Sequence, residues 1–146
     1  MSATKAFETA LQTLYFNNTD HANIGDAAGL QNSTAAGSFY VSLHTADPTE
    51  TGTQTSSEAT YTSYARVAVA RSGAGWTVSG SNVSNTAAVT FPACTGGTNT
   101  ITHFGIGSDS SGAGNLFFKG ALGASLAVSS GITPAFAIGE LDVNLD

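Results

Sequence analysis

The spacing of hydrophobic positions changes along the chain, and that change divides it. Between Thr4 and Phe16 the apolar residues Phe7, Ala10, Leu11, Leu14 and Tyr15 fall three or four apart, the stripe of an amphipathic helix. Ser2 or Thr4 is placed to cap it, Lys5, Glu8, Gln12 and Thr13 take the opposite face, and Asn17 and Asn18 end the pattern. A single short helix is marginal alone, so its stripe must pack on the domain or on another chain. From Phe39 the period drops to two. Phe39, Val41 and Leu43 alternate with Tyr40, Ser42 and His44, which predicts a strand with one face in a core and the other toward something wetter. Asp47 and Pro48 stop it, because Asp bonds its own backbone in a turn and Pro offers no amide hydrogen to a continuing ladder.

Between these two elements, residues 17–38 are rich in Asn, Ala, Gly and Ser, with Ile24 and Leu30 as isolated apolar anchors. The composition predicts a long connection with weak internal order, of the kind that often serves docking. Residues 49–63 are polar and Thr-dense and predict an exposed loop or edge hairpin. Strand signals return at Val67 and Val69, at Trp76 and Val78, over Thr86 to Phe91, over Asn99 to Ile106 and over Asn115 to Ala121. The tail alternates cleanly, with Leu141, Val143 and Leu145 on one face and Glu140, Asp142, Asn144 and Asp146 on the other. Turn compositions separate the segments at Gly80 to Asn82, at Gly96 and Gly97, and over Ser108 to Gly114. About eight to ten short strands at this spacing predict an all-β fold, an antiparallel β-sandwich or jelly-roll-like barrel with one N-terminal helix. No longer period marks a repeat array. The expected organisation is an N-terminal helix and docking or oligomerisation loop over 1–38, followed by a β-sandwich domain over 39–146.

Composition narrows the function. A chain of 146 residues can bury one core without metal or disulfide staples. Its 41% apolar content is ordinary, while its 10% charged content is low, and Ser and Thr fill the gap. The net charge of −6 and four scattered cations, Lys5, Arg66, Arg71 and Lys119, leave no electrostatic footprint for nucleic acid. One cysteine, Cys94, rules out an internal disulfide and reads as a small buried hydrophobe. No positive leader followed by an apolar run is seen at the N-terminus, and no segment nears the ~18 apolar residues of a membrane span. The expectation is a chain made in a cytoplasm, with no membrane partner.

The candidate chemistry is thin. No G-x-S-x-G elbow, H-E-x-x-H, C-x-x-C or phosphate-cradling loop is present. His44 and Asp47 sit at a strand end with no activated Ser or Cys implied, and they are assigned, with Pro48, to shaping the strand-exit turn. His103, between Thr102 and Phe104, reads as a strand histidine bonded to a hydroxyl or to backbone, and His21 as a loop histidine without metal partners at usable spacing. The turn at Asp109 lacks the repeated acids of a calcium loop, and Glu140, Asp142 and Asp146 read as a solvated strand face. No catalytic set, metal or cofactor is expected. The Asn17, Asn32 and Asn82 tripeptides match the glycosylation pattern, which carries little meaning without a secretory signal.

Several motifs in order carry a resemblance. FYVSLHTADP at Phe39, YARVAV at Tyr64, the Asn85 to Ala93 run, THFGI at Thr102, NLFFKGAL at Asn115 and the closing ELDVNLD together resemble a family of small tailed-bacteriophage virion proteins, labelled tail fibre proteins. The resemblance covers about Ser38 to Asp146. It implies a non-enzymatic structural component of the particle, all-β and homo-oligomeric, and carries over no catalytic residue. The chain departs from the family pattern just before Tyr64, where SSEATYTS stands for a shorter glycine-rich turn.

The favoured expectation is therefore a virion surface protein, a capsid decoration or cement protein, because a compact domain has no shaft repeats with which to build a long fibre. The alternative is a tail or tail-fibre subunit that contacts a host surface glycan, with Trp76, Tyr61 and Tyr64 as stacking platforms. An enzyme such as a depolymerase is the third reading. Other virion proteins are the expected partners, with docking or oligomer contacts from Phe7, Leu11, Leu14 and Tyr15 on the helix stripe.

Overall fold

The computed structural model describes residues 2–22, 24 and 29–144. In chain order its elements are α1 (Lys5–Asn17), β1 (Ser38–His44), β2 (Val67–Ala70), β3 (Trp76–Ser79), β4 (Asn82–Asn85), β5 (Val89–Thr90), β6 (Asn99–Gly107), β7 (Leu116–Val128), β8 (Ala135–Phe136) and β9 (Asp142–Asn144). One N-terminal helix and antiparallel strand pairs make this the all-β class that the sequence predicts. The chain divides into two compact units, the first of Met1–Ser38, Ala70–Ala88 and Phe136–Asp146, the second of Phe39–Val69 and Val89–Ala135.

In the first unit, three strands pair in the order β3-β4-β9. The β3–β4 hairpin runs in register from Trp76 opposite Asn85 to Ser79 opposite Asn82. Gly80 closes its turn at φ 66°, a conformation a β-carbon would strain. Trp76, Val83, Leu141 and Val143 are buried, and the Phe16 ring meets Trp76 edge-on at 5.1 Å between centroids. Leu145 and Asp146, the end of the expected tail strand, lie outside the described residues.

The packing of α1 reverses the sequence expectation. Thr4 caps it, accepting from the Phe7 amide at 3.4 Å. Its buried side chains are Gln12 and Phe16. Lys5 Nζ donates to Ser81 Oγ at 3.0 Å, Thr9 Oγ1 to the Gly80 carbonyl at 2.8 Å, and Gln12 Nε2 to the Ser81 carbonyl at 2.6 Å. Lys5 and Gln12, which the stripe pattern sends to solvent, are thus on the packed side. The reason is local. The hairpin turn offers carbonyls and a hydroxyl, and Phe16, one turn beyond Gln12, supplies the apolar contact that anchors the polar face.

The connection after α1 is also better ordered than its composition suggests. Asn18 Nδ2 donates to the Ser33 carbonyl at 2.8 Å, Ser33 N donates back to Asn18 Oδ1 at 2.9 Å, and Asn32 N donates to Asp20 Oδ1 at 2.7 Å. His21 and Leu30 pair through both backbone hydrogen bonds, at 3.0 and 2.9 Å. These contacts close the neck of a loop by amide side chains, in place of the apolar contacts its sequence lacks. Residues 23 and 25–28 of this stretch lie outside the described residues.

In the second unit the main sheet has the order β2-β1-β6-β7, and a second pair joins β5 to β8. Tyr40 lies opposite Gly107 and His44 opposite His103. Val41, Leu43, Ile101, Phe104 and Ile106 are buried. β1 departs from the expected one-sided strand, because Ser42 and His44 are as buried as Val41 and Leu43. β7 is longer than the Asn115 to Ala121 pattern and carries an irregularity. Ile101 pairs with Leu126 and His103 with Ala121, so Leu122 to Ser125 stand opposite Thr102 alone. The strand expected over Thr86 to Phe91 shrinks to Val89–Thr90, while β4 and β8 form where no strand pattern is visible.

Candidate functional site

The motif residues of the second unit converge on a buried polar cluster. His44 Nε2 lies 2.8 Å from Ser42 Oγ, and His44 Nδ1 lies 2.8 Å from the Ser56 carbonyl. A carbonyl only accepts, so the network assigns the ring proton to Nδ1 and leaves Nε2 to accept from the Ser42 hydroxyl. A hydroxyl, an imidazole and an orienting acceptor in a chain is also how a nucleophile is activated. Here both side chains are fully buried, so no substrate reaches Ser42. The chain is a fastener. It holds β1 to the 56–59 segment together with Thr45 N to Ser57 O and Ala59 N to Leu43 O, both 2.8 Å. Burial pushes the His44 pKa below the ordinary imidazole value, opposed by its bond to Ser56 and by Glu58.

Glu58 is the hub of the adjoining cluster. Its carboxylate accepts from Arg66 Nε at 2.7 Å and Nη2 at 2.8 Å, a two-point fork, and from the Tyr64 hydroxyl at 3.0 Å. Tyr64 Oη in turn accepts from the Leu43 amide at 3.0 Å. Arg66 goes further, donating to the carbonyls of Asp109 at 2.8 Å and Gly112 at 2.7 Å. Gln54, fully buried, accepts from Asp109 N at 2.9 Å. The Ser108 to Gly114 turn is therefore gripped by Gln54 and Arg66. Burial, and then the Glu58 carboxylate, push the Tyr64 phenol far above its usual range, and the Glu58 fork raises Arg66.

At the end of β1, Asp47 Oδ1 accepts from Thr49 N at 2.9 Å, an Asx turn, and Pro48 is buried. Lys119 Nζ sits 3.0 Å from Asp47 and 3.1 Å from Glu50. The Thr49 amide first, then Lys119, lower the Asp47 pKa, and its carboxylate partners raise Lys119. His44 and Asp47 share no hydrogen bond, each serving a different partner. The cleft beside Lys119, lined by Glu50 and Phe117 among others, holds about 70 Å³, against roughly 300–1,000 Å³ for a small-molecule site. His103 Nδ1 pairs with Thr102 Oγ1 at 2.9 Å, and the buried Cys94 thiol donates to the Gly96 carbonyl at 3.2 Å. Among the described residues no group of three or more His, Cys, Asp or Glu is placed to hold a metal, and no helix is long and apolar enough to cross a membrane.

The three aromatic residues expected to stack a sugar are not available to one. Trp76 is fully buried in the first unit. In the second, Tyr61 is buried with its hydroxyl on the Pro92 carbonyl at 3.0 Å, and Tyr64 stacks on Phe91. Each ring fills a core, which its size favours over exposure.

The helix stripe behaves otherwise. With Lys5, Thr9, Gln12 and Phe16 on the packed side, helical geometry puts Phe7, Leu11 and Leu14 on the far side, with Tyr15 flanking. Phe7 is 43% exposed, and Leu11, Leu14 and Tyr15 are half-buried. The His21 ring lies 5.9 Å from Phe7. Arg71 donates to the last carbonyls of the helix, Tyr15 at 2.7 Å and Leu14 at 3.2 Å, where the helix dipole favours a cation. Burial carries the Tyr15 pKa to about 12 against the pull of Arg71.

Sequence reasoning missed Glu58, Gln54, Arg71 and Asn85. Asn85 is buried and satisfied, donating to the Ala87 and Ala137 carbonyls at 2.8 Å each and accepting from Leu141 N at 2.9 Å. The one available signal was scarcity. In a chain with four cations, Arg66 and Arg71 had to be spent where neutral groups do not serve, and Glu58 is one of only two carboxylates, with Glu50, in its Thr-rich stretch.

No curated protein matches the chain. A protein-family model described as Podophage GP4 fiber I protein gp80 matches residues 15–144. A fibre family is one of phage structural components associated with other virion proteins. It supports the fibre alternative and gives no support to capsid decoration in particular. The match takes in parts of both units and leaves out most of α1. It spans most of the molecule, and on that ground the chain belongs to the podophage GP4 fiber I protein gp80 family.

Proposed function

We propose that this chain is a non-enzymatic fibre component of a podophage virion, attached to a neighbouring virion protein through the apolar stripe of α1. One observation carries the attachment. The helix packs on its own unit with its polar side, through Lys5, Thr9 and Gln12, and leaves Phe7, Leu11 and Leu14 turned the other way. An amphipathic helix that turns its apolar face from the hairpin it packs on can offer the exposed part of that face, here Phe7 flanked by the half-buried Leu11 and Leu14, to a groove on another protein. Capsid decoration rested on the lack of shaft repeats. We set it behind the fibre role, which the family's description favours. The 1–38 segment keeps its proposed role as the docking element.

The test is incorporation into particles of Phe7→Asp and of Phe7→Asp combined with Leu11→Lys. Phe7 at an apolar contact contributes about 2 kcal/mol, so the single variant should dock roughly 30-fold more weakly and the double variant should be absent from particles. Wild-type incorporation by a folded double variant would refute the attachment.

A further inference from the structure

The chain divides its surface unevenly by charge. Between Lys119 and Glu140 there is no charged residue. Most of this run belongs to β7 and the turn after it, in the second unit. β7 is an edge strand of its sheet, paired with β6 on one side only. Gly123 to Ala127 are exposed in unbroken succession. Side chains on a strand point alternately to opposite faces, so adjacent exposed Leu126 and Ala127, both in register with β6, mean that both faces of the strand are uncovered there. Leu126 is 36% exposed and Ile132, in the following turn, is 40% exposed. Here the strand also slips against β6, with Leu122 to Ser125 opposite Thr102 alone, which carries these residues away from the neighbouring strand.

A long edge strand without charge and with apolar side chains is what soluble proteins avoid leaving open. Lys119 guards only its first half. We infer that the second half of β7, with the Ser129 to Ile132 turn, is a self-association surface covered by a second copy of this chain. The charge distribution selects that occupant. Two copies carrying −6 each repel, and they approach at least cost where neither presents charge. A charged partner would find nothing to pair with on this surface. Gly123, Ala124, Ser125 and Ala127 are small enough for another backbone to come within ordinary sheet spacing, while Leu126 and Ile132 supply apolar contact. The seven strand residues Leu122–Val128 reach about 23 Å, and with about 10 Å of width on each face they offer about 460 Å² per partner, the size of a weak, concentration-dependent contact rather than the roughly 800 Å² per partner of a stable interface.

This inference shares with the fibre reading only the idea that subunits act as assembled copies, and its test is independent of particles. Sedimentation equilibrium of the full chain between about 1 and 100 μM is expected to give a mass that is a multiple of 14.6 kDa. Ala124→Asp and Ala127→Lys, both at exposed positions, should each return the chain to one copy with the same circular dichroism and melting as wild type. Thr51→Asp, on an exposed loop, should leave the assembly intact. A wild-type chain that stays at one copy throughout, or an assembly that survives both β7 substitutions, overturns the inference. Loss of particle incorporation in the Phe7 variants, with self-association unchanged, leaves it standing, so the two proposals fail separately.

Discussion

Removing the Glu58 carboxylate gives the sharpest test of what holds the second unit together. The Arg66 side chain is 2% exposed and that of Glu58 15%, so the pair is largely shielded from solvent. Truncating one member of such a pair strands the other charge, which costs about 3–5 kcal/mol. Glu58→Ala also removes the acceptor of the Tyr64 hydroxyl, a bond worth about 1 kcal/mol net. The carbonyls of Asp109 and Gly112 stay within reach of Arg66 and moderate the loss. A net destabilisation near 4 kcal/mol is therefore expected for Glu58→Ala. With an unfolding entropy of about 2.1 cal/mol/K per residue, that lowers the melting temperature by roughly 13 °C. Replacing both members, as Glu58→Ala with Arg66→Met, removes the stranded charge and should cost less than the sum of the single changes. Urea unfolding and calorimetry of the four proteins measure this. A Glu58→Ala chain within about 1 kcal/mol of wild type, or a double variant whose loss is the simple sum, would show that the Glu58 cluster does not hold the second unit together.

Two further changes probe the same unit. Burial holds the folded His44 imidazole below its unfolded pKa of about 6.5, so below that pH the unfolded chain takes up a proton that the folded chain refuses. Its contribution is present at neutral pH and lost as pH falls, and the urea midpoint should drop from pH 7.5 to 5 by more in wild type than in His44→Asn. Equal drops in the two would remove His44 from the account. Gly105→Ala would put a β-carbon 2.6 Å from Leu116 Cδ1 and 2.8 Å from both His44 Nε2 and Ser42 Oγ. A loss of about 2–3 kcal/mol is expected from overpacking and a disturbed hydrogen bond, and an alanine variant as stable as wild type would contradict the packing.

Periodicity made the elements legible and left their partners hidden. α1, β1, β6 and the tail strand stand where alternation or a stripe is strong, and Thr4 caps the helix as its position suggests. β4 escaped because Asn82 to Asn85 is polar in every position but Val83, and the second half of β7 because Ala, Gly and Ser show no contrast between faces. The helix misled for a different reason. A stripe shows which face is apolar, whereas which face packs depends on what the hairpin at Gly80 and Ser81 presents. His44 looked half-exposed because period two assigns one face to water, and the Gln54 to Ala59 segment that covers it follows ten to fifteen residues later, beyond the turn, where no local pattern shows it folding back. Aromatic residues invited a sugar-stacking role only while their burial was unknown.

The two surfaces proposed here obey different chemistry, and that difference makes them separable. The α1 stripe offers Phe7, Leu11 and Leu14 on a helix that also carries Glu8, so a partner must match apolar side chains near a carboxylate. The β7 surface offers backbone edge and small side chains with no charge, which suits a copy of itself and gives little by which to choose a foreign protein. A subunit that both assembles and attaches needs this division, because a single surface used for both would let attachment compete with assembly. Acidic substitution at Ala124 should therefore abolish self-association while a single copy still reaches the particle through α1, more weakly than an assembly that engages several sites at once. If Ala124→Asp particles instead hold the same number of copies at the same affinity as wild type, multivalent attachment is excluded and the stripe must bind strongly enough alone.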